Sequence, residues 1–132
     1  MVERSEDWLR SAGHDLEMAE SLSKNGFYDG ACFFALQCAE KAIKALYQKL
    51  GGLGWGHSIY KLLEELPEQV RPNDEFIGRV KDLDYNYISS RYPNAFDHGA
   101  SMDFYKEKDA QKSITLAREV FNFCVVKISE QR

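Results

Sequence analysis

An arginine and a histidine, Arg91 and His98, are separated by six residues in the segment SSRYPNAFDHG, residues 89–99. A histidine can take the proton from a ribose 2′-hydroxyl because its ordinary pKa lies near neutrality. A guanidinium can stabilise the crowded, negatively charged phosphorane that then forms. The two residues are therefore a candidate catalytic pair for RNA cleavage, a reaction that needs no metal. Arg91 also has a structural explanation, because the helix dipole favours a cation at a helix C-terminus.

Other residues that could bind a metal or act as nucleophiles form no recognisable motif. The histidines His14, His57 and His98 show neither HxxxH nor HExxH spacing, so we predict no metal site and no cofactor. His14 is explained as a solvated helix residue, and His57 as the start of a helix. The cysteines lie in apolar helical patterns without a CxxC pair, which predicts buried free thiols at Cys32, Cys38 and Cys124.

Length and composition are those of one globular domain covering residues 1–132, with 44% hydrophobic and 29% charged residues. The net charge of -4 argues against a dedicated high-affinity nucleic-acid binder, which would need a surplus of lysine and arginine, but it is compatible with weak or transient contact with RNA. We therefore expect no DNA partner. The chain has no apolar run of membrane-spanning length, and its N-terminus, MVERSEDWLR, is too charged for a signal peptide. We therefore expect a cytoplasmic protein without membrane contact.

Hydrophobic periodicity predicts helices along the whole chain. The first covers residues 8–22, and the second, at about 29–50, is apolar around most of its surface and should be central. A short helix is expected at 58–66 with Ser58 as its N-cap, and a longer one from Asn73 to about Ser90. The last helix should start at Asp103. The predicted fold is all-α, an up-and-down antiparallel bundle of four main helices plus a short fifth.

Two of these helices have clear predicted core positions. In the helix predicted from Asn73 to about Ser90, Phe76, Val80, Leu83 and Tyr87 recur at helical spacing. The last helix has a regular apolar seam at Ala110, Ile114, Ala117, Phe121, Cys124 and Ile128.

Polar residues of the second helix gather on one stripe, formed by Gln37, Glu40, Lys41 and Lys44. With Arg91 nearby, Gln37, Lys41 and Lys44 could supply hydrogen bonds and positive charge for a nucleotide phosphate. The alternative is that the stripe is a solvated helix face or a dimer seam, since it alternates Glu40 with the lysines.

Several segments together resemble the HEPN domain family. They are YDGACFFALQCAEKAIKALYQ (28–48), GHSIYKLL (56–63) and YNYISSRYPNAF (85–96), followed by Tyr105 and the apolar positions of the last helix. The most specific pieces are the second-helix block ending in QCAEKAIKAL and the RYP tripeptide. The resemblance extends over nearly the whole chain.

The resemblance implies a homodimer, commonly encoded beside a minimal nucleotidyltransferase with which it forms a toxin–antitoxin pair. It further implies metal-independent RNase activity, in which the Arg and His of an R-x(4–6)-H motif from both subunits face one cleft. In this chain those residues are Arg91 and His98. The alternative function is a non-catalytic module of the same fold that binds a nucleotide or assembles with a partner.

Overall fold

Helix α2 (Tyr28–Lys49) is the centre of the structure because buried residues cover most of its circumference. In this computed structural model, which describes residues 3–131, α2 packs against two other long helices, α1 (Ser5–Lys24) and α7 (Glu107–Ser129). The helix α1 is antiparallel to α2, since Arg4 pairs with Gln48 and Ser11 with Lys41. It is also antiparallel to α7. Gly13 of α1 lies beside Phe121 of α7, and further along α1 Glu20 pairs with Arg118, which comes earlier in α7.

Shorter helices connect α2 to α7. They are α3 (Ile59–Glu64), α4 (Asp74–Val80), α5 (Asn86–Ser89) and α6 (Ser101–Phe104), with 3-10 turns at Lys81–Tyr85 and Pro93–Ala95. Residues 3–131 contain helices but no strand, which confirms the predicted all-α bundle. The predicted caps are also present, because the Ser58 side chain accepts a hydrogen bond from Lys61 N and Asn73 accepts one from Phe76 N.

The helix predicted from Asn73 to about Ser90 differs from the prediction, because a 3-10 turn divides it into α4 and α5. From Ile77 to Asn86 its buried residues are spaced three apart, at Ile77, Val80, Leu83 and Asn86. This spacing matches the three residues per turn of a 3-10 helix and not the 3.6 of an α-helix. The tighter turn moves Tyr87 to the surface and places Asn86 in the interior.

The start of the last helix was also predicted wrongly, because two short capping interactions separate α6 from α7. The Asp103 carboxylate accepts a hydrogen bond from Ala100 N at 2.9 Å, so Asp103 belongs to the first turn of α6. The Asp109 carboxylate accepts one from Lys106 N at 2.9 Å and closes the first turn of α7 in the same way. The predicted apolar seam of α7 is confirmed, since all six of its positions are buried or half-buried.

A buried polar network attaches α5 to the rest of the bundle. Asn86 is 5% exposed, and its side-chain amide donates to the Cys32 carbonyl at 3.3 Å and to Ser113 Oγ at 3.1 Å. Its carbonyl oxygen accepts a hydrogen bond from Tyr105 Oη at 2.9 Å. One side chain therefore links α5 to α2, to α7 and to the segment before α7.

The three cysteines are buried with free thiols, as predicted. Burial raises the pKa of Cys32 to about 11 and that of Cys38 to about 12, and it also raises the pKa of Cys124. Thiolate, the nucleophilic form, is therefore scarce at neutral pH in the folded protein.

None of the helices within residues 3–131 has the length and apolar composition of a membrane-spanning segment.

Replacing Asn86 by Ala should lower the free energy of unfolding by about 2–3 kcal/mol, because buried polar partners lose their hydrogen bonds. Urea unfolding at pH 7 measures the effect. The exposed Asn94 provides a matched control, and Asn94→Ala should change stability by less than about 0.5 kcal/mol. Equal midpoints for the two variants would contradict the assigned role of Asn86.

The native thiols should react with Ellman's reagent at pH 7.5 at least about tenfold more slowly than the same thiols in guanidinium chloride. The expected stoichiometry after unfolding is three thiols per chain. Fast reaction of any thiol in the folded protein, followed by absorbance, would show that its cysteine is accessible.

Candidate functional site

The loop between α5 and α6 carries both Arg91 and His98, and its two ends are held at one residue. Ser101 Oγ donates a hydrogen bond to the Ser89 carbonyl at 2.6 Å. The Ser89 hydroxyl lies 2.6 Å from Tyr105 Oη, which is itself bonded to Asn86. The buried network therefore fixes the points where this loop leaves and re-enters the bundle.

Two residues within the loop restrict its path. Tyr92 is extended, with φ -126° and ψ 133°, as expected for a residue before proline. Gly99, directly after His98, has a φ of +76°, and a Cβ built there would lie 2.9 Å from Asp103 Oδ2. Glycine is required at this position because a side chain would meet both backbone strain and a close contact.

Arg91 is exposed, and aromatic rings surround its guanidinium. Its Cζ lies 4.6 Å from the ring centre of Phe33, 5.0 Å from that of Tyr87 and 4.8 Å from that of Tyr92. Nε and Nη2 donate to the Tyr87 carbonyl at 3.0 and 2.6 Å. The Tyr87 carbonyl fixes the orientation of the guanidinium, while the aromatic rings stabilise its positive charge without neutralising it.

Arg91 has no carboxylate partner among residues 3–131. Most other arginines in this range form ion pairs: Arg4, Arg10, Arg79 and Arg118. Arg71 resembles Arg91, because it donates from Nε to a backbone carbonyl, that of Leu66, at 3.0 Å. The positive charge of Arg91 is therefore accessible and not neutralised within the described chain.

His98 is exposed and is supported by an aromatic pair. Its ring meets Phe104 edge-on at 5.9 Å, and Phe104 stacks on Phe96 at 4.5 Å. No hydrogen bond joins His98 to Arg91 in the part of the chain that the structure describes. One loop therefore carries both predicted catalytic residues, but they contact different groups: Arg91 the rings around it and the Tyr87 carbonyl, and His98 the ring of Phe104.

A cavity of about 380 Å³ opens beside this loop. Its lining includes the aromatic pair Phe96 and Phe104, which supports His98, and an ion pair between Lys112 and Asp82 at 3.0 Å. The remaining lining residues are mostly those of the buried network and its neighbours: Asn86, Ser89, Tyr105, Ser113, Tyr85, Asp109 and Leu116. Aromatic faces and hydrogen-bonding groups thus share one opening near His98.

The charged residues of the α2 stripe form ion pairs within the chain. Lys41 Nζ lies 2.8 Å from Asp15 Oδ2, and Asp15 is buried. Lys44 Nζ lies 3.1 Å from Glu40 Oε2, and Glu40 is also buried. Gln37, one turn earlier on α2, is half-buried. The stripe is therefore not a simple solvated helix face.

His57 has a role that sequence reasoning missed. Its Nδ1 lies 3.1 Å from Glu40 Oε2, and its ring stacks on Tyr87 with the ring centres 5.1 Å apart. Glycines with positive φ at 54 and 56 let the chain turn back onto α2 at this point. The only signal in the sequence was a histidine directly after a glycine-rich run, which is too general to indicate a partner.

His57, His98 and His14 lie on different elements. No group of three or more His, Cys, Asp or Glu side chains within residues 3–131 is placed to hold a metal ion.

Comparisons with known proteins agree with the fold and extend along the chain. The family model described as HEPN domain matches residues 5–129. The crystal structure of TT1696 from Thermus thermophilus has a TM-score of 0.92 and 38% identity, covering 96% of this chain and 99% of that one. ST0689, an archaeal HEPN homologue, has a TM-score of 0.81 and 38% identity with the same coverage.

More distant relatives also match. A HEPN domain protein from Thermotoga maritima, TM0613, has a TM-score of 0.74 and 28% identity, covering 94% of this chain and 98% of that one. The protein named "Putative toxin MJ1304" of Methanocaldococcus jannaschii is 23% identical over 122 residues, and the match covers 86% of this chain and 80% of that protein. Because the family model matches nearly all of the sequence, this chain belongs to the HEPN domain family.

Proposed function

We propose that this protein is a HEPN toxin that cleaves RNA without a metal, using Arg91 and His98. The observation that carries the proposal is the exposed guanidinium of Arg91, which has aromatic and carbonyl contacts but no carboxylate partner among residues 3–131. The toxin assignment is further supported by the similarity to the M. jannaschii protein.

In the proposed reaction, His98 accepts the proton of a ribose 2′-hydroxyl while Arg91 stabilises the negative charge on the phosphorane. The Tyr87 carbonyl accepts from Nε and Nη2 only, so other donors of the guanidinium are left for phosphate oxygens. Exposed aromatic rings at Tyr87 and Tyr92, and the cavity near His98, offer surfaces on which unpaired bases can stack.

The proposal includes a homodimer in which the loops of two chains face one cleft. Its support is the apolar surface around the loop, where Tyr92, Met102 and Phe104 are exposed. A second chain would cover these side chains and bring further copies of Arg91 and His98 to the site. We also propose a minimal nucleotidyltransferase as antitoxin partner, and the cytoplasm as the place where the protein meets RNA.

The second candidate function is a non-catalytic module that binds a nucleotide or a partner through Gln37, Lys41 and Lys44. It is less supported, because both lysines already have carboxylate partners in the chain. A nucleotide phosphate would have to compete with Asp15 and Glu40 for them.

Arg91→Ala and His98→Ala should each lower the rate of RNA cleavage by about 100-fold or more, because each removes one interaction with the transition state. The measurement is the initial rate on labelled RNA in the presence of EDTA. Arg71→Ala and His14→Ala are the matched controls and should retain the parent rate, since Arg71 is a similarly exposed arginine distant in sequence from the loop.

Circular dichroism and thermal unfolding establish that each variant is folded before its rate is compared. Cleavage by the parent that survives in both Arg91→Ala and His98→Ala would reject this pair as the catalytic residues. A parent protein that binds nucleotides but cleaves no RNA under any condition would favour the non-catalytic module.

A further inference from the structure

We propose that His57, held by the buried carboxylate of Glu40, is the general acid of this site and protonates the departing 5′-oxygen of RNA. The inference rests on the proposed RNA cleavage and adds a catalytic residue to it.

The first support is the geometry of the pair. Glu40 is 6% exposed, whereas the His57 side chain is 58% exposed. The interaction at 3.1 Å joins Glu40 Oε2 to His57 Nδ1, so Nε2 is the ring nitrogen left for another partner. A carboxylate hydrogen-bonded to one imidazole nitrogen fixes the tautomer and orientation of the ring and leaves the other nitrogen for proton transfer.

The second support is the position of His57 relative to Arg91. The His57 ring lies 5.1 Å from the Tyr87 ring centre, and Arg91 Cζ lies 5.0 Å from the same centre. The imidazole and the guanidinium are therefore at most about 10 Å apart. On α2, Glu40 contacts His57 and Phe33 contacts Arg91. Glu40 and Phe33 are seven residues apart, two helical turns, so they lie on the same side of α2 as Gln37. One surface of α2 and Tyr87 thus presents both groups.

The third support is chemical, because cleavage by the 2′-hydroxyl requires two proton transfers. The 2′-oxygen forms a bond to phosphorus and its proton passes to His98, while the bond from phosphorus to the 5′-oxygen breaks. The 5′-oxygen takes a proton from protonated His57, which leaves a 2′,3′-cyclic phosphate and a 5′-hydroxyl. One imidazole cannot accept and donate at opposite sides of phosphorus in the same step, so a second proton-transfer group is needed.

Lys44 is the second partner of Glu40, but it does not take the role proposed for His57. Its ammonium shares Glu40 Oε2 at 3.1 Å, and its side chain is 15% exposed, so it partly compensates the buried carboxylate. His57 is the more exposed of the two partners and the one that stacks on Tyr87. It is therefore the partner that a bound RNA can reach.

The alternative is that His57 only attaches the glycine-rich loop to α2. His57→Asn separates the two roles, because an asparagine amide can donate to Glu40 but cannot transfer a proton near neutral pH. The substrates are an RNA oligonucleotide with one cleavable linkage and the same oligonucleotide with sulfur in place of the 5′-bridging oxygen. A thiolate leaves without protonation, so the sulfur substrate does not need a general acid.

His57→Asn should lower kcat/KM on the oxygen substrate by about 100-fold or more and on the sulfur substrate by less than about tenfold. Glu40→Gln should show the same selectivity with a smaller loss, and it provides a second variant should His57→Asn fail to fold. His98→Ala should impair both substrates, because deprotonation of the 2′-hydroxyl is common to them. His14→Asn, the control, should impair neither.

Two results would overturn the role of His57 while leaving Arg91 and His98 in place. They are parent-level cleavage of the oxygen substrate by His57→Asn, and an equal loss on both substrates, which is the pattern of a purely structural residue. Failure of the parent to cleave either substrate would reject the proposed function and this inference together.

Discussion

The hydrogen bonds of the Asn86 side chain are the interaction on which the geometry of the loop depends. An amide removed from water must satisfy its donors and acceptor within the protein, and Asn86 does so with three separate elements. It fixes α5 against α2 and α7, and it orients Tyr105 toward Ser89. A leucine at this position could fill the space, but it would specify neither the position of Tyr105 nor the start of the loop.

From this anchor, the constraints extend outward to Arg91 and His98. The Ser101 hydroxyl donates to the carbonyl of Ser89, where the loop begins, and the Ser89 hydroxyl is hydrogen-bonded to Tyr105 Oη. Both ends of the loop are therefore held at Ser89. Pro93 and Gly99 then limit the path between the two ends. A chain restricted in this way loses less conformational entropy when a ligand orders it, which favours a binding or catalytic role for an exposed loop.

Much of the fold is predictable from sequence because the long helices bury regular stripes, and the seam of α7 from Ala110 to Ile128 is the clearest case. The 3-10 turn was not predictable, since Phe76 and Tyr87 fit an α-helical pattern better than a buried Asn86 does. The loop carrying Arg91 and His98 was located from a proline and a family resemblance. The pairing of His57 with Glu40 depends instead on how the glycine run folds back onto α2, which no local pattern encodes.

The distribution of charge explains how an acidic chain can present the site that we propose for RNA. Net charge governs long-range attraction, but the potential at a site depends on which charges are neutralised nearby. On α2, Lys41 and Lys44 are paired with the buried carboxylates of Asp15 and Glu40. Arg91 lies instead among aromatic rings, which stabilise a cation without cancelling its charge. Arg91 therefore keeps its charge available to a phosphate at the proposed site, even though the chain as a whole is acidic.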